Sequence, residues 1–197
     1  MRVLVVYAHP CEESFAAAVR DRTLATLREG GHEVRLLDLY AMGFNPVLSA
    51  EERRGYHTPG ENEVPVAEHL AQLRWCEALL FVYPTWWYGP PSMLKGWLER
   101  VWVPHATFRM PEKGKPIARL MTNIRLIGVI SLLGSPRWWW WMIGMPGRRT
   151  LLTGLGVLCA PGCRTFWLAH HRMDSSTPET RSVFLDRVAK KLRSLAP

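Results

Sequence analysis

The fold of this chain is decided by residues 83–97, which read YPTWWYGPPSMLKGW. The segment follows an apolar run of strand length, Ala78–Val82, and leads into a helical pattern. It therefore places aromatic side chains and prolines in a turn at the carboxyl end of a predicted buried strand. Large apolar side chains near solvent usually need a partner, and a flat aromatic ligand is a suitable one. A flavin-type cofactor site is the first hypothesis, while a cap over the core or a contact between subunits explains the same residues.

Strand-like runs alternate with helical patterns along the chain. The predicted strands are Val3–Tyr7, Val34–Leu37, Ala78–Tyr83, Leu126–Ser131 and Cys163–Ala169. The predicted helices are Ser14–Glu29, Ser92–Trp102, one between Gly147 and Leu155, and one that follows Glu179 and runs toward Leu195. Near-continuous apolar strands indicate a parallel sheet that is covered on both faces. Right-handed crossovers then predict an α/β fold, a doubly wound five-stranded sheet of order 2-1-3-4-5 with helices on both faces.

No linker or repeat interrupts this pattern, so we predict a single domain over residues 1–197. The polar residues 45–65 are interpreted as a long surface excursion. Sheets of this kind bind ligands at the switch point, here between the first and third strands. The loops that follow those strands are Ala8–Phe15 and Pro84–Pro91.

The first of these loops joins a strand to the start of a helix, where free backbone N–H groups favour an anion. His9 and Ser14 are candidates to donate hydrogen bonds to a phosphate. The loop has no G-x-G-x-x-G pattern and no Walker pattern. On these grounds alone, phosphate binding and a plain capped turn are equally supported.

The positive charge of the chain is concentrated in one segment. The net charge is +8, and residues 109–149 hold eight basic side chains and one acidic side chain, which gives +7. Such a segment suits an anionic substrate, an anionic membrane or a nucleic acid, and also an ordinary solvated face. Because no nucleic-acid-binding motif accompanies it, we expect no nucleic-acid partner.

The sequence also bears on location and metal binding. No run is long and uncharged enough to span a bilayer, and the N-terminal apolar run stops at His9 without a cleavage site. We therefore expect a cytoplasmic protein without a disulfide framework. Cys159 and Cys163 have a spacing that signals a metal site only weakly, because no second pair is nearby, so none is expected.

Three blocks of sequence connect the chain to a known family. They are Ala8-His9-Pro10-x-x-x-Ser14-Phe15, Asp38-Leu39-Tyr40-x-x-x-Phe44-x-Pro46 and Pro84-x-x-Trp87-Tyr88-Gly89-x-Pro91-x-x-Leu94-Lys95-Gly96-Trp97-x-Glu99-Arg100-Val101. In these blocks the chain resembles the NAD(P)H dehydrogenase (quinone) family, whose members have the flavodoxin-like fold. The third block is long and ordered, which makes the resemblance specific.

The resemblance implies a set of flavin-binding residues. His9 and Phe15 would contact the phosphate side of the flavin, close to Ser14. The isoalloxazine ring would be walled by Pro84, Thr85, Trp86, Trp87 and Tyr88. Lys95, Glu99 and Arg100 would fix the following helix rather than touch the ring.

The loop after the fourth strand departs from the family pattern. Relatives commonly carry Thr-Thr-Gly-Gly there, and this chain has Ser131, Leu132, Leu133 and Gly134. Main-chain donors survive such a change, so these four residues stay candidates for contact with the flavin. The Tyr and His that larger relatives use beyond this loop have no match in residues 137–142, and no catalytic side chain is named. His105 and Phe108 are candidates to line the substrate slot, with a core or interface role as the alternative.

Residues 138–141 are four consecutive tryptophans. They cannot share one face of a helix, so at least one should reach solvent, a partner chain or lipid. A homodimer contact is favoured because relatives pair across the active site and tryptophan is common in interfaces. A local core and an interfacial membrane contact are the alternatives.

The resemblance implies a flavin-dependent NAD(P)H oxidoreductase that reduces quinones or similar small electron acceptors by ping-pong hydride transfer. The alternative is an ancillary flavoprotein that regulates a potassium-efflux type of membrane transporter by binding. FMN is favoured over FAD because the chain is shorter than the FAD-binding quinone reductases. Arg181 nevertheless resembles an arginine that lies near the adenosine half of FAD in those enzymes.

Overall fold

The computed structural model describes residues 1–111 and 114–195. Its main sheet contains β1 (Arg2–Tyr7), β2 (Glu33–Asp38), β3 (Ala78–Pro84), β6 (Leu126–Leu132) and β7 (Arg164–His170). Two-residue strands β4 (Phe108–Arg109) and β5 (Ala118–Arg119) form a separate antiparallel ribbon. The main sheet is parallel throughout, in the order β2-β1-β3-β6-β7. Counted within this sheet the order is 2-1-3-4-5, which confirms the predicted fold.

Helices cover both faces of the sheet. They are α1 (Phe15–Glu29), α2 (Ala50–Gly55), α3 (Ala67–Trp75), α4 (Ser92–Val101), α5 (Arg137–Met142), α6 (Pro146–Arg148) and α7 (Pro178–Arg193). The side chains of α1 and α7 pack on one face, and those of α3 and α4 pack on the other. Successive residues of β1 point to opposite faces of the sheet. Val3 and Val5 therefore pack with α1 and α7, and Leu4 and Val6 pack with α3 and α4.

The structure differs from the predicted elements in several places, and the ribbon β4–β5 and helix α5 are among the elements that were not predicted. The predicted helix between Gly147 and Leu155 is divided into α6 and a π-helical turn, Arg149–Gly154. Residues 45–65 are not wholly irregular, because Ser49 and Glu52 form a capping box that starts α2. Helix α3 was not predicted, and only three of its nine residues, His69, Leu70 and Leu73, are buried. A helix with so few buried positions has a weak apolar stripe.

A close contact between two of the sequence blocks positions α4. A Cβ atom placed on Gly96 would lie 2.1 Å from the carbonyl oxygen of Pro46, so only glycine allows this approach. Arg100 strengthens the same contact, because its guanidinium donates to the Asn45 carbonyl and pairs with Glu52. Lys95 and Glu99 form an exposed pair one turn apart. Gly96 and Arg100 therefore fix α4, and α4 in turn fixes the end of the loop of residues 85–91, which we call the aromatic turn.

Two further features concern the helices and the cysteines. Within residues 1–111 and 114–195, no helix combines the length and the apolar character that crossing a bilayer requires. The four cysteines are free thiols, and Cys76 and Cys159 are buried in the core.

Candidate functional site

A cleft opens at the carboxyl edge of the sheet, where the loops after β1, β3, β6 and β7 meet. It consists of two adjoining hollows of about 400 and 340 Å³ that share Thr85, Gly134 and Asp174. We call the two hollows together the switch-point cleft, because they lie beside the ends of β1 and β3. Another hollow of about 440 Å³ lies between α2 and α4, and no predicted site residue lines it.

Most of the predicted site residues meet in this cleft. The larger hollow is lined by His9, Ser14, Phe15, Pro84, Thr85, Trp86, Leu132 and Gly134. The smaller one adds Trp87, Tyr88 and Leu133. Ser131 lines neither hollow, because its buried Oγ accepts a hydrogen bond from Trp167 Nε1 at 2.8 Å.

The structure does not bring His105 and Phe108 into the cleft. They lie beyond α4, where the His105 N–H donates to the Phe108 carbonyl at 2.7 Å. His105 has a positive φ of 69° and an exposed ring, and Phe108 packs against the core. Neither residue lines the switch-point cleft of this single chain.

The loop after β1 is arranged to receive an anion. Ser14 caps α1, and its Oγ accepts the N–H of Ala17 at 3.1 Å. The N–H groups of Phe15 and Ala16, at the start of the helix, have no intrahelical partner. His9 Nδ1 lies 3.0 Å from the Cys11 N and 3.2 Å from the Cys11 carbonyl oxygen, and in the tautomer that accepts from the Cys11 N–H the ring proton is on Nε2, where it can be donated to a ligand. Phosphate donors are therefore concentrated at one end of the cleft.

Glu12, one of the two acidic residues of this loop, is paired with a cation. Glu12 makes two hydrogen bonds with the Arg20 guanidinium, at 2.9 and 3.0 Å. Hydrogen bonding to Arg20 lowers the pKa of Glu12, so its negative charge is matched by a neighbouring cation. A second cation, Arg181, lies with its guanidinium carbon 5.6 Å from the centre of the Phe15 ring. The Phe15 wall of the cleft thus has a positive side chain close to it.

The aromatic turn is a tight two-residue hairpin in an unusual conformation. Trp86 and Gly89 exchange backbone hydrogen bonds at 3.2 and 3.1 Å, and Trp87 and Tyr88 between them have φ values of 48° and 63°. Two positive φ values define a type I′ turn, which Asn and Gly normally occupy. The turn leaves Trp87 with 94% of its surface exposed. Strain of this kind is typical of functional sites. The turn places the indole of Trp87 at the mouth of the cleft.

Thr85 supplies a polar group inside the cleft. Its N–H donates to the Leu132 carbonyl at 2.7 Å, which joins the loops after β3 and β6. Its Oγ1 is buried and finds no hydrogen-bond partner in the described part of the chain. Buried hydroxyl groups are normally paired, so this one is available to a ligand.

Asp174 is a cleft residue that sequence reasoning missed. It lies in the 3₁₀ turn Met173–Ser175 after β7 and lines both hollows. A Cβ atom on Gly134 would come within 2.8 Å of its Oδ2, so glycine allows the carboxylate to approach the loop after β6. No local sequence pattern predicts this contact, because Gly134 and Asp174 are 40 positions apart in the chain.

The fold and the cleft can now be compared with those of known protein families. The flavodoxin-like fold family matches residues 1–142, which is more than half of the chain, and the chain belongs to that family. Individual relatives narrow the resemblance further. The chain is 36% identical over 118 residues to NAD(P)H dehydrogenase (quinone) 1 from Rattus norvegicus, a match that covers 52% of this chain and 43% of that protein. The predicted resemblance to the NAD(P)H dehydrogenase (quinone) family is thereby confirmed.

Solved structures extend the similarity to the whole chain. The NAD(P)H:quinone oxidoreductase from Methanothermobacter marburgensis has a TM-score of 0.79 and 26% identity over 98% of both chains. An FMN-dependent NADH-azoreductase from Bacillus anthracis str. Ames Ancestor, in complex with FMN, has a TM-score of 0.78. Its identity of 17% shows a common fold alone. The chain spans about half the length of the curated relatives it matches.

Proposed function

We propose that this protein is an FMN-dependent NAD(P)H oxidoreductase that reduces quinones or similar small electron acceptors. The observation that carries the proposal is that one cleft contains both the strained aromatic turn and the loop after β1, whose hydrogen-bond donors suit a phosphate group. The similarity to quinone reductases of two organisms supports the same reaction. In the overall reaction, NAD(P)H, a proton and a quinone give NAD(P)⁺ and a hydroquinone.

The hydrogen-bonding groups and aromatic side chains of the cleft suit a flavin. The first turn of α1, with His9 and Ser14, would hold the phosphate group. Trp86, Trp87 and Tyr88 would flank the ring, and the unpaired Thr85 hydroxyl would find its partner on the ligand. The main-chain groups of residues 131–134 would face the edge of the ring. A bound flavin supplies the hydride chemistry, and the protein supplies binding and orientation.

The reaction is proposed to be ping-pong, with NAD(P)H and the acceptor occupying one slot in turn. The aromatic turn would exclude water from that slot and hold each reactant within about 3.5 Å of the reacting atom. No side chain of the cleft is assigned a catalytic role. His105 and Phe108 stay candidates for the slot only if a second copy of the chain brings them there.

Three finer points belong to the same proposal. The flavin is taken to be FMN rather than FAD, as in the azoreductase that shares the fold. The protein is taken to be a cytoplasmic homodimer, as the family resemblance implies. No observation on this chain favours the alternative role as a regulator of a transporter.

The test begins with the purified protein and added flavin. We expect FMN to bind, with quenching of its fluorescence, and NAD(P)H absorbance to fall when menadione is added. Acid precipitation removes the flavin, and FMN is then added back to the flavin-free protein. The reconstituted protein should regain activity in proportion to the FMN that it binds. A chain that binds neither FMN nor FAD contradicts the proposal, and a chain that binds flavin without turnover contradicts the enzymatic part alone.

A further inference from the structure

A second pocket, of about 700 Å³, lies beside α5 and against β7. It shares no lining residue with the switch-point cleft. We call it the α5 pocket and define it by the six residues that carry its chemistry. These are Arg137, Trp138, Trp140, Trp141, Trp167 and Arg172.

The tryptophans give the α5 pocket a fixed inner wall and an exposed rim. Trp140 is only 2% exposed and stacks on Trp167, with ring centres 6.2 Å apart and an angle of 29° between the planes. The hydrogen bond from Trp167 Nε1 to Ser131 holds that stack in place. Trp138 and Trp141 form the rim and are 62% and 72% exposed. Indole faces on several sides are suited to a flat aromatic group.

Arg137 and Arg172 bring positive charge to the lining of the α5 pocket. Residues 113–173 contain no Asp or Glu, although they hold nine Lys and Arg residues. Arg137 and Arg172 are exposed, and neither forms an ion pair with a carboxylate in residues 1–111 or 114–195. A guanidinium group binds a carboxylate or sulfonate through two parallel hydrogen bonds. The pocket therefore offers anion donors next to aromatic walls.

We propose that the α5 pocket is a binding site for a flat aromatic anion, an aryl carboxylate or sulfonate. Its ring would lie against the indoles, and its anionic group would bind Arg137 and Arg172. The pocket is separate from the switch-point cleft, so this proposal does not depend on the redox function proposed above. A neutral aromatic compound would use the indoles alone and would bind more weakly.

Titration calorimetry on the chain of residues 1–197 tests the site with two probes of similar shape. We expect saturable binding of 2-naphthalenesulfonate with one site per chain, and at least tenfold weaker binding of 2-naphthol, which is neutral at pH 7. Saturation of the switch-point cleft with FMN should leave the sulfonate affinity unchanged. Loss of sulfonate binding on addition of FMN would move the sulfonate to that cleft and overturn the proposal.

Substitutions assign the contacts. R137Q and R172Q should each weaken sulfonate binding about fivefold without changing 2-naphthol binding, whereas W141L should weaken both. R28Q, at an exposed arginine on α1, is the matched control and should change neither. Far-UV circular dichroism checks that each variant is folded. Equal sulfonate affinity in R137Q, R172Q and the unmodified protein would refute the site. A fall in sedimentation coefficient for W141L would assign the pocket to a contact between two copies instead.

Discussion

Thr85 has a buried hydroxyl without a partner inside the candidate cofactor cleft. An unpaired buried hydroxyl destabilises a protein by about 1 kcal/mol or more, whereas a hydroxyl paired with a ligand contributes to affinity. We therefore predict opposite effects of T85V. The free energy of unfolding of the flavin-free protein should rise by about 1 kcal/mol, and the Kd for FMN should rise about tenfold. Chemical denaturation and quenching of flavin fluorescence measure the two quantities.

Thr107 provides the matched control for this prediction. Its hydroxyl is buried like that of Thr85, but it donates to the Val103 carbonyl at 2.9 Å. T107V should therefore lower the free energy of unfolding by about 1 kcal/mol. If T85V and T107V destabilise the flavin-free protein equally, the Thr85 hydroxyl has a partner in solution and our account of it is wrong.

Trp87 combines a left-handed backbone with an almost fully exposed side chain. The left-handed conformation disfavours a bulky residue by about 1 kcal/mol, and asparagine tolerates it better. W87N should therefore raise the free energy of unfolding without flavin by about 1 kcal/mol and weaken FMN binding. W138N makes the same change in the ordinary helix α5 and should give no such gain in stability. Urea denaturation of both variants compares them, and a loss of stability in W87N would contradict the role of strain.

At the scale of elements, the contact of α4 with the loop after β2 rests on Gly96. A methyl group there would overlap the Pro46 carbonyl, so G96A should lower the free energy of unfolding by about 2 kcal/mol or more. Gly156 has open space around its Cβ position and lies in the 3₁₀ turn Gly156–Leu158, so G156A should be neutral or slightly stabilising. Thermal denaturation of the two variants measures the difference. Similar melting temperatures would show that α4 can move away from Pro46 at little cost.

The same elements show how far sequence reasoning reached. The strands and the loops at His9–Phe15 and Pro84–Tyr88 were predicted because apolar runs and turn residues act within a few positions. The capping of α1 by Ser14 follows from the same local chemistry. Asp174 and the side-chain direction of Ser131 were not predictable, because they depend on β6, β7 and α5 coming together. Eleven of the twelve candidate flavin contacts line one cleft, yet their role in binding stays a proposal.

At the scale of the whole molecule, four histidines link stability to pH. Burial lowers the pKa values of His32, His69, His170 and His171 below the ordinary value of imidazole. The unfolded chain therefore binds protons more readily, and stability is lost as the pH falls from about 6.5 toward the lowered values. The melting temperature should be lower at pH 5.5 than at pH 7.5, as differential scanning calorimetry can measure.

Two variants attribute this pH dependence to buried rings. H69Q should reduce the difference between the two pH values, because the neutral His69 ring accepts a hydrogen bond from Trp97 Nε1 at 3.3 Å in the core. H57Q removes an exposed ring and should leave the difference unchanged. An identical melting temperature at both pH values would contradict the role of these histidines.

The uneven distribution of carboxylates along the chain also has a kinetic consequence. Because residues 113–173 contain no Asp or Glu and β1 to α4 hold most of the acidic groups, we expect an uneven electrostatic field around the molecule. Such a field orients an approaching dinucleotide, whose pyrophosphate is negative, before any contact is made. Association of NAD(P)H should therefore be faster than unguided diffusion at low ionic strength and should slow steadily as salt is added. The positive charge of residues 113–173 would then determine the association rate of NAD(P)H rather than its affinity.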